Sequence, residues 1–278
     1  YATKDPMPFL EYTAEKLCNK LSINLKSVRF GTINSVPVIQ KNRYYNRNEH
    51  ITDNLSHPSI IKPYYITLDY VYYKFYENAH DMLNHILDGN EISKENILDI
   101  VDTIKYLHNN NIYHFDIKLE NILWFSDKRI NLIDFGPSGS SYMKSITCDQ
   151  KQSTPGYNSP EILCNQKFDP FKSDIFSLAS TLFCCIHKQF IVSLTNNRDK
   201  DFRWMYVDYD SNNNMRDFDS ILTSYTESYS GNVDRKVIRE LNDLIKLMLK
   251  QNPCDRIDIN EVSKKLNIIM SNTTVKYF

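Results

Sequence analysis

The sequence predicts an α+β chain with two lobes, a small β-rich one in front and a larger helical one behind. Three observations carry that expectation. Runs rich in β-branched and aromatic residues fill residues 27 to 77, the apolar period lengthens at Ser93, and helical patterns recur from there towards the C-terminus. With 278 residues, 41% of them hydrophobic and 24% charged, there is apolar material for one large core or two smaller ones.

Residues 8 to 21, PFLEYTAEKLCNKL, read as a helix with Phe9, Leu10, Tyr12, Leu17 and Leu21 on its apolar face, so residues 1–26 are expected to form an N-terminal helical extension. SVRFGTI and VPVIQK then read as two strands joined by a polar turn at Asn34 and Ser35. IIKPYYITLDYVYYKFYE reads as two more, with a short helix near Asn46 to Leu55 in between. These make a first lobe over 27–77, with the boundary near Glu77 to Asp81. The second lobe, 78–278, begins its helical pattern at SKENILDIVDTIKYLHNN. Ser93 is the N-cap, Glu95 lies in the first turn, and Ile97, Ile100, Val101, Ile104 and Leu107 share a face. Further helices are expected over 173–188, 234–251 and 259–270. Residues 196–231, rich in Asn and Asp, read as an insert, either an ordered one or a mobile loop.

The totals exclude several classes. A net charge of -1 and a pI near 6.7 give no global attraction to nucleic acid or an anionic membrane, so direct nucleic-acid binding is not expected. Six scattered cysteines lack a C-x-x-C pair, which argues against a zinc site or a disulfide framework and for reduced thiols in an intracellular compartment. The longest apolar run, IFSLASTLFCCI, is too short to cross a bilayer, and no membrane partner is expected. The chain opens on Tyr1 rather than Met, so targeting signals cannot be read from it.

The chemistry concentrates in IYHFDIKLENILWFSDKRINLIDFGPSG. Two apolar triplets, Ile122 to Trp124 and Asn131 to Ile133, flank the charged turn Ser126-Asp127-Lys128, which is the pattern of a tight hairpin. Its two ends bring Asn121 and Asp134 to one place, and an amide and a carboxylate oxygen suffice to hold a nucleotide-bound magnesium whose shell phosphate and water complete. Asp116, five residues before Asn121, is placed to orient a hydroxyl and accept its proton, and Lys118 to neutralise charge on a phosphoryl group.

His114-Phe115-Asp116 with Asn121, followed by Asp134-Phe135-Gly136, resembles the catalytic loop and metal-binding motif of eukaryotic-type protein kinases, H-R-D-x-x-x-x-N and D-F-G. The resemblance extends over nearly all of Ser27 to Leu266 and implies the bilobal protein-kinase-like fold. It implies ATP and magnesium as cofactors, and transfer of the γ-phosphoryl group to a Ser or Thr hydroxyl of a protein substrate. VIQK resembles the V-A-I-K strand, which makes Lys41 the partner of the α- and β-phosphates, with Ile39 and Leu123 on either side of adenine and Asp81 and Ile133 as further nucleotide contacts. STPGYNSPEIL resembles the substrate-docking segment, with Thr154 near the acceptor hydroxyl and Glu161 paired to Arg256. Asp174 in SDIFSLASTLF is the residue that would hold the catalytic-loop backbone.

The chain departs from the family pattern at three points. No G-x-G-x-x-G exists, and before Lys41 the single glycine is Gly31, so the backbone cover of the phosphates is in doubt. The helix that presents a glutamate to the strand lysine is clipped, leaving Glu49 as the candidate partner of Lys41. Phe115 stands where the pattern has arginine, which implies that phosphorylation between Gly136 and Ser159 is not the main switch. The missing glycines keep open a pseudokinase that binds or inhibits rather than transfers. A small-molecule phosphotransferase shares the His-x-Asp but would not be expected to show the S-P-E segment. Small size and AT-rich-looking residue usage resemble reduced kinases of large DNA viruses such as baculoviruses and granuloviruses. That resemblance implies a location in the host cytoplasm or nucleus and a basic virion DNA-packaging protein as substrate, which the Asp-rich stretch Asp199 to Asp219 could attract. The clipped helix leaves room for a homodimer braced through the first lobe.

Overall fold

The computed structural model describes residues 10–11, 28–43, 48–140, 154, 156–163, 168–191 and 218–278. The chain divides into two compact units: Tyr1–Asn90 with Leu119–Gly139, and Glu91–Lys118 with Ser140–Phe278.

The first unit is built on a five-stranded antiparallel sheet in the order β1-β2-β3-β5-β4, with β1 Leu10–Glu11, β2 Val28–Ile33, β3 Val36–Asn42, β4 Tyr65–Ile66 and β5 Tyr70–Lys74. The β2–β3 turn has Asn34 at φ 50° and Ser35 at φ 64°. Two successive left-handed residues match the twist of the flanking strands, and Asn tolerates that region better than most residues. The register pairs Phe30 with Ile39 and Val28 with Lys41, and Lys41 in turn with Val71. Alternation therefore sends Val28, Phe30, Ile39 and Lys41 to one face. On the other face Ile33, Val38 and Tyr72 are buried together, and Gln40 Nε2 donates to the Tyr72 hydroxyl at 2.8 Å.

Leu10 and Glu11 correct the reading of residues 8 to 21 as a helix. They are extended and pair with Thr32 and Gly31 on the edge of β2. An open sheet edge offers backbone partners that a local apolar pattern does not reveal, and the rest of that span lies outside the described residues. The helix expected near Asn46 to Leu55 is a 3₁₀ helix, Glu49–Asn54. Two elements had no clear signal in the sequence: strand β6, Ala79–Asp81, and the short helix α1, Met82–Leu87. β6 pairs with the hairpin strand β7, Ile122–Phe125, which pairs with β8, Ile130–Leu132, to give a second sheet.

The second unit is helical. α2, Lys94–Asn109, starts where expected, with Ser93 Oγ accepting from Asn96 N at 3.1 Å, and buries Ile97, Ile100, Val101, Ile104 and Leu107. α3 is the single turn Pro160–Leu163. α4, Pro170–His187, is buried along nearly its whole length and is capped by Asp169, whose side chain accepts from Phe171 N and Lys172 N. α5, Phe218–Ser228, shows that part of the expected insert is helical; the rest lies outside the described residues. α6, Arg235–Met248, packs on α4 and α5, and α7, Ile259–Ser271, packs on α2 and α6. The last residue, Phe278, exchanges two backbone hydrogen bonds with Ile92, at 2.8 and 3.0 Å. No helix among the described residues is long and apolar enough to cross a membrane.

A polar network ties α4 to α5 and α6. Asn242 Nδ2 donates to Leu222 O at 3.3 Å and Thr226 Oγ1 at 2.8 Å, which leaves its Oδ1 to accept from His187 Nε2 at 2.9 Å. Burial pushes the His187 pKa below the usual imidazole range, and the Asn242 bond only partly offsets this. The unfolded chain, with an ordinary imidazole near pH 6.5, therefore binds the proton first as pH falls. The stability contributed by neutral His187 is complete above about pH 6.5 and is lost as pH drops from there towards the folded pKa. Urea midpoints at pH 7.5 and 5.5 are expected to differ more for the native chain than for His187→Gln; an equal difference would remove His187 from the acid response.

Candidate active site

The hairpin and the strand β3 bring together one group of the predicted residues within the first unit. A 3₁₀ turn, Leu119–Asn121, leads into β7, and the Asn121 carbonyl accepts from Ile133 N at 2.9 Å, closing the hairpin mouth. Asp134 follows directly. Its φ is 67°, a left-handed value that costs an ordinary residue ~1–2 kcal/mol and that Asp bears better than most. Its Oδ1 lies 3.0 Å from Lys41 Nζ, with the two side chains 34% and 14% exposed. The lysine therefore sits beside the candidate metal ligand and also approaches the Tyr73 ring, 5.7 Å from its centroid.

Ile39, Leu123 and Ile133 come together in one apolar cluster with Val28, Phe30, Phe75, Ala79 and Phe125. Three residues predicted to contact the nucleotide thus share a surface, and Val28 and Ala79 join them without having been singled out in the sequence. Their signal was weak because an isolated Val or Ala carries no motif. Only the β2–β3 register and the β6–β7 pairing bring them to that face. Asp81 is almost fully buried and caps α1: Oδ1 accepts from Asn84 N at 2.8 Å and Oδ2 from Asn84 Nδ2 at 2.9 Å. A nucleotide contact there would compete with the cap. Glu49 has its backbone in the 3₁₀ helix, and its side chain lies outside what is described.

The second unit holds the other group. Lys118 Nζ lies 2.7 Å from Asp116 Oδ2 and donates to Thr154 Oγ1 at 2.7 Å, while Thr154 donates to Asp116 Oδ1 at 2.9 Å. The proton count closes: the ammonium supplies two donors, and the one hydroxyl hydrogen goes to the carboxylate. The loop that carries Asp116 is pinned by Asp174, whose Oδ2 accepts from His114 N at 2.7 Å and Oδ1 from Phe115 N at 2.8 Å, with His108 Nε2 at 3.0 Å. Burial, and then the nearby Asp174, push the Tyr113 phenol above its usual range, so it stays a neutral neighbour. Phe115 occupies an apolar cluster with Tyr113, Ile162, Phe168 and Phe171. Glu161 and Arg256 form a buried two-pronged pair at 2.5 and 2.6 Å, and Lys172 Nζ donates to the Arg256 carbonyl.

Of the sequence-predicted residues, Lys41 and Asp134 are joined directly, Asn121 is tied through its carbonyl to the residue before Asp134, and Asp116, Lys118 and Thr154 form a closed triad. The phenylalanines at 168 and 171 escaped the sequence reading because they belong to no motif and reach Phe115 and Tyr113 only through the fold.

Residues 26–266 match the family model described as protein kinase domain. Among curated proteins the chain is 28% identical over 237 residues to a protein of Acanthamoeba polyphaga mimivirus named as a serine/threonine-protein kinase, covering 80% of this chain and 78% of that one. It is 35% identical over 162 residues to the serine/threonine-protein kinase chk-2 of Caenorhabditis elegans, covering 52% and 33%, respectively. It is 27% identical over 256 residues to the serine/threonine-protein kinase Nek11 of Macaca fascicularis, covering 86% and 35%. The chain thus spans about three quarters of the mimivirus protein and about a third of the two animal ones.

Proposed function

The chain belongs to the protein kinase family, and from that premise we propose that it is a serine/threonine kinase that moves the γ-phosphoryl group of ATP to protein hydroxyls. The observation that carries this is Thr154 on Asp116: the carboxylate already orients an alcohol at 2.9 Å, with Lys118 at 2.7 Å from both. An acceptor Ser or Thr would take the same hydrogen bond. On this reading the first lobe, 27–77, carries Lys41 and Ile39, and the second, 78–278, begins at the segment that Asp81 caps.

The donor set suits magnesium: a hard amide oxygen on Asn121 and a carboxylate on Asp134 leave most of an octahedral shell for phosphate and water. When bound, the ion would neutralise charge on the phosphates. The chain's own residues do the rest. Lys41, beside Asp134, meets phosphate oxygens as a cation, and Ile39, Leu123 and Ile133 with Val28 and Ala79 give adenine an apolar seat. Asp116 orients the hydroxyl and takes its proton, and Lys118 stabilises charge as it develops. Radiolabelled phosphate transfer to a generic basic protein, with Asp116→Asn as control, tests the proposal; no transfer from a folded, nucleotide-binding sample would sink it.

A second reading is favoured by one feature. The sequence holds no G-x-G-x-x-G, and Gly31 is the single glycine before Lys41, whereas a glycine-rich loop lets the backbone close over phosphates. A pseudokinase needs no such cover. The same transfer assay separates the two.

Activity is proposed to be independent of activation-loop phosphorylation. Phe115 lies in an apolar cluster, which offers a phosphate no charged partner at that position. Phosphatase-treated protein is expected to keep its full rate; loss of rate, restored by one phosphorylated residue between Gly136 and Ser159, would overturn this. The mimivirus relative supports a kinase of a large DNA virus; with that reading go the host cytoplasm or nucleus as its location and a basic protein as its substrate. The Asp-rich stretch proposed to attract that substrate lies largely outside the described residues, and a homodimer through the first lobe goes with the reduction of its helix to one 3₁₀ segment.

A further inference from the structure

Phe115 is the strained point of the loop that carries Asp116. Its φ is 71°, and an ordinary side chain in the left-handed region costs ~1–2 kcal/mol. Asp174 pays part of that cost by accepting from the amides of His114 and Phe115. Two amide contacts fix the chain as far as the nitrogen of Phe115. Past that nitrogen the chain is held by a longer contact, Asp116 N to His114 Nδ1 at 3.3 Å, and by whatever packs on the Phe115 side chain.

That side chain is held by rings. Phe168 lies nearly parallel to it, centroids 5.7 Å apart and planes 17° apart, and Tyr113 meets it edge-on at 6.2 Å and 72°. Tyr113 is braced in turn by Phe171 at 5.7 Å and 86°, and Phe171 by His108 at 5.0 Å and 85°. Phe115 and Phe168 are 7% and 3% exposed, so both are packed on all sides. Phe168 and Phe171 stand on either side of Asp169, the cap of α4, and α4 also supplies Asp174. The start of one buried helix therefore grips the loop twice, through its backbone amides and through its ring.

We infer that Phe168 is a positioning residue for Asp116. By stacking on Phe115 it fixes the left-handed turn that aims the carboxylate, in the place where the family pattern has an arginine. This rests on the reading of Asp116 as the hydroxyl-orienting group. Small errors of aim are costly, since a misplacement of about 1 Å can lower a rate ~10²-fold.

The test is steady-state kinetics on the full chain with ATP and a basic protein acceptor. Phe168→Ala is expected to lower kcat about 10- to 100-fold with KM for ATP changed less than about two-fold, because the nucleotide set lies in the other unit. Leu266→Ala, which opens a comparable buried gap in α7, is expected to lower the melting temperature but leave kcat unchanged. In an Asp116→Asn background the Phe168→Ala loss should shrink to less than about two-fold, since a group that acts through Asp116 has nothing left to aim. Phe168→Leu, which keeps most of the volume, carries the same comparison at smaller amplitude should the alanine variant not fold. An unchanged kcat, an equal loss in both backgrounds, or an equal loss from Leu266→Ala would each overturn the inference. Full activity of Asp116→Asn alone would overturn the reading beneath it, and shows in that variant without reference to Phe168.

Discussion

Asp116→Asn is expected to lower kcat by about 10²–10⁴-fold, the usual contribution of a positioned general base, while KM for ATP stays near its native value. The amide keeps the shape of the carboxylate and can still accept from Thr154, so the loop should stand. It loses the negative charge that Lys118 faces at 2.7 Å and the ability to take a proton. Folding should change by no more than about 1 kcal/mol, because the remaining contacts are those of a partly buried ion pair with a neutral substitute. Lys41, Asn121 and Asp134 belong to the other compact unit, which is why nucleotide affinity should not follow the rate. Kinetics and thermal melting on the same preparation check both halves. A kcat within a factor of about three of the native value would remove Asp116 from the chemistry.

The largest expected effect on stability comes from Arg256→Ala, at about 3–5 kcal/mol, as for other buried pairs broken on one side. The guanidinium is fully buried and spends its donors on Glu161 at 2.5 and 2.6 Å and on the carbonyls of Lys250, Lys172 and Gln251 at 2.6, 3.0 and 3.0 Å. It also lies over the Phe176 ring at 5.1 Å. Alanine would leave a buried carboxylate unpaired and three carbonyls without this donor, against a total stability of ~5–15 kcal/mol for an ordinary domain. Urea unfolding should show it. The double variant Arg256→Met with Glu161→Leu is expected to be more stable than Arg256→Ala, because removing both charges removes the unpaired one. A loss below about 1 kcal/mol for Arg256→Ala would mean that the pair does not fix the α3 segment. Because Glu161 lies seven residues after Thr154, activity should fall with it as the acceptor segment loosens.

What the sequence determined by itself was the part that repeats locally. The strands β2 and β3 with their Asn34-Ser35 turn, the capped helix α2 and the hairpin β7–β8 follow from alternation and from a Ser before an apolar face, and fixed spacings single out Asp116, Lys118, Asn121 and Asp134 as candidates. Tertiary structure alone decided the rest. Leu10 and Glu11 are a strand because an edge of β2 was open to pair with them, and the helical pattern around them could not announce that partner. Asp81 caps α1, a role its sequence position did not announce because the six residues of that helix gave little periodicity to detect. Phe168 meets Phe115 across 53 residues of chain. Local periodicity reports which face of an element is apolar, whereas contacts between distant segments depend on how those faces pack, and that information is not held at either position alone.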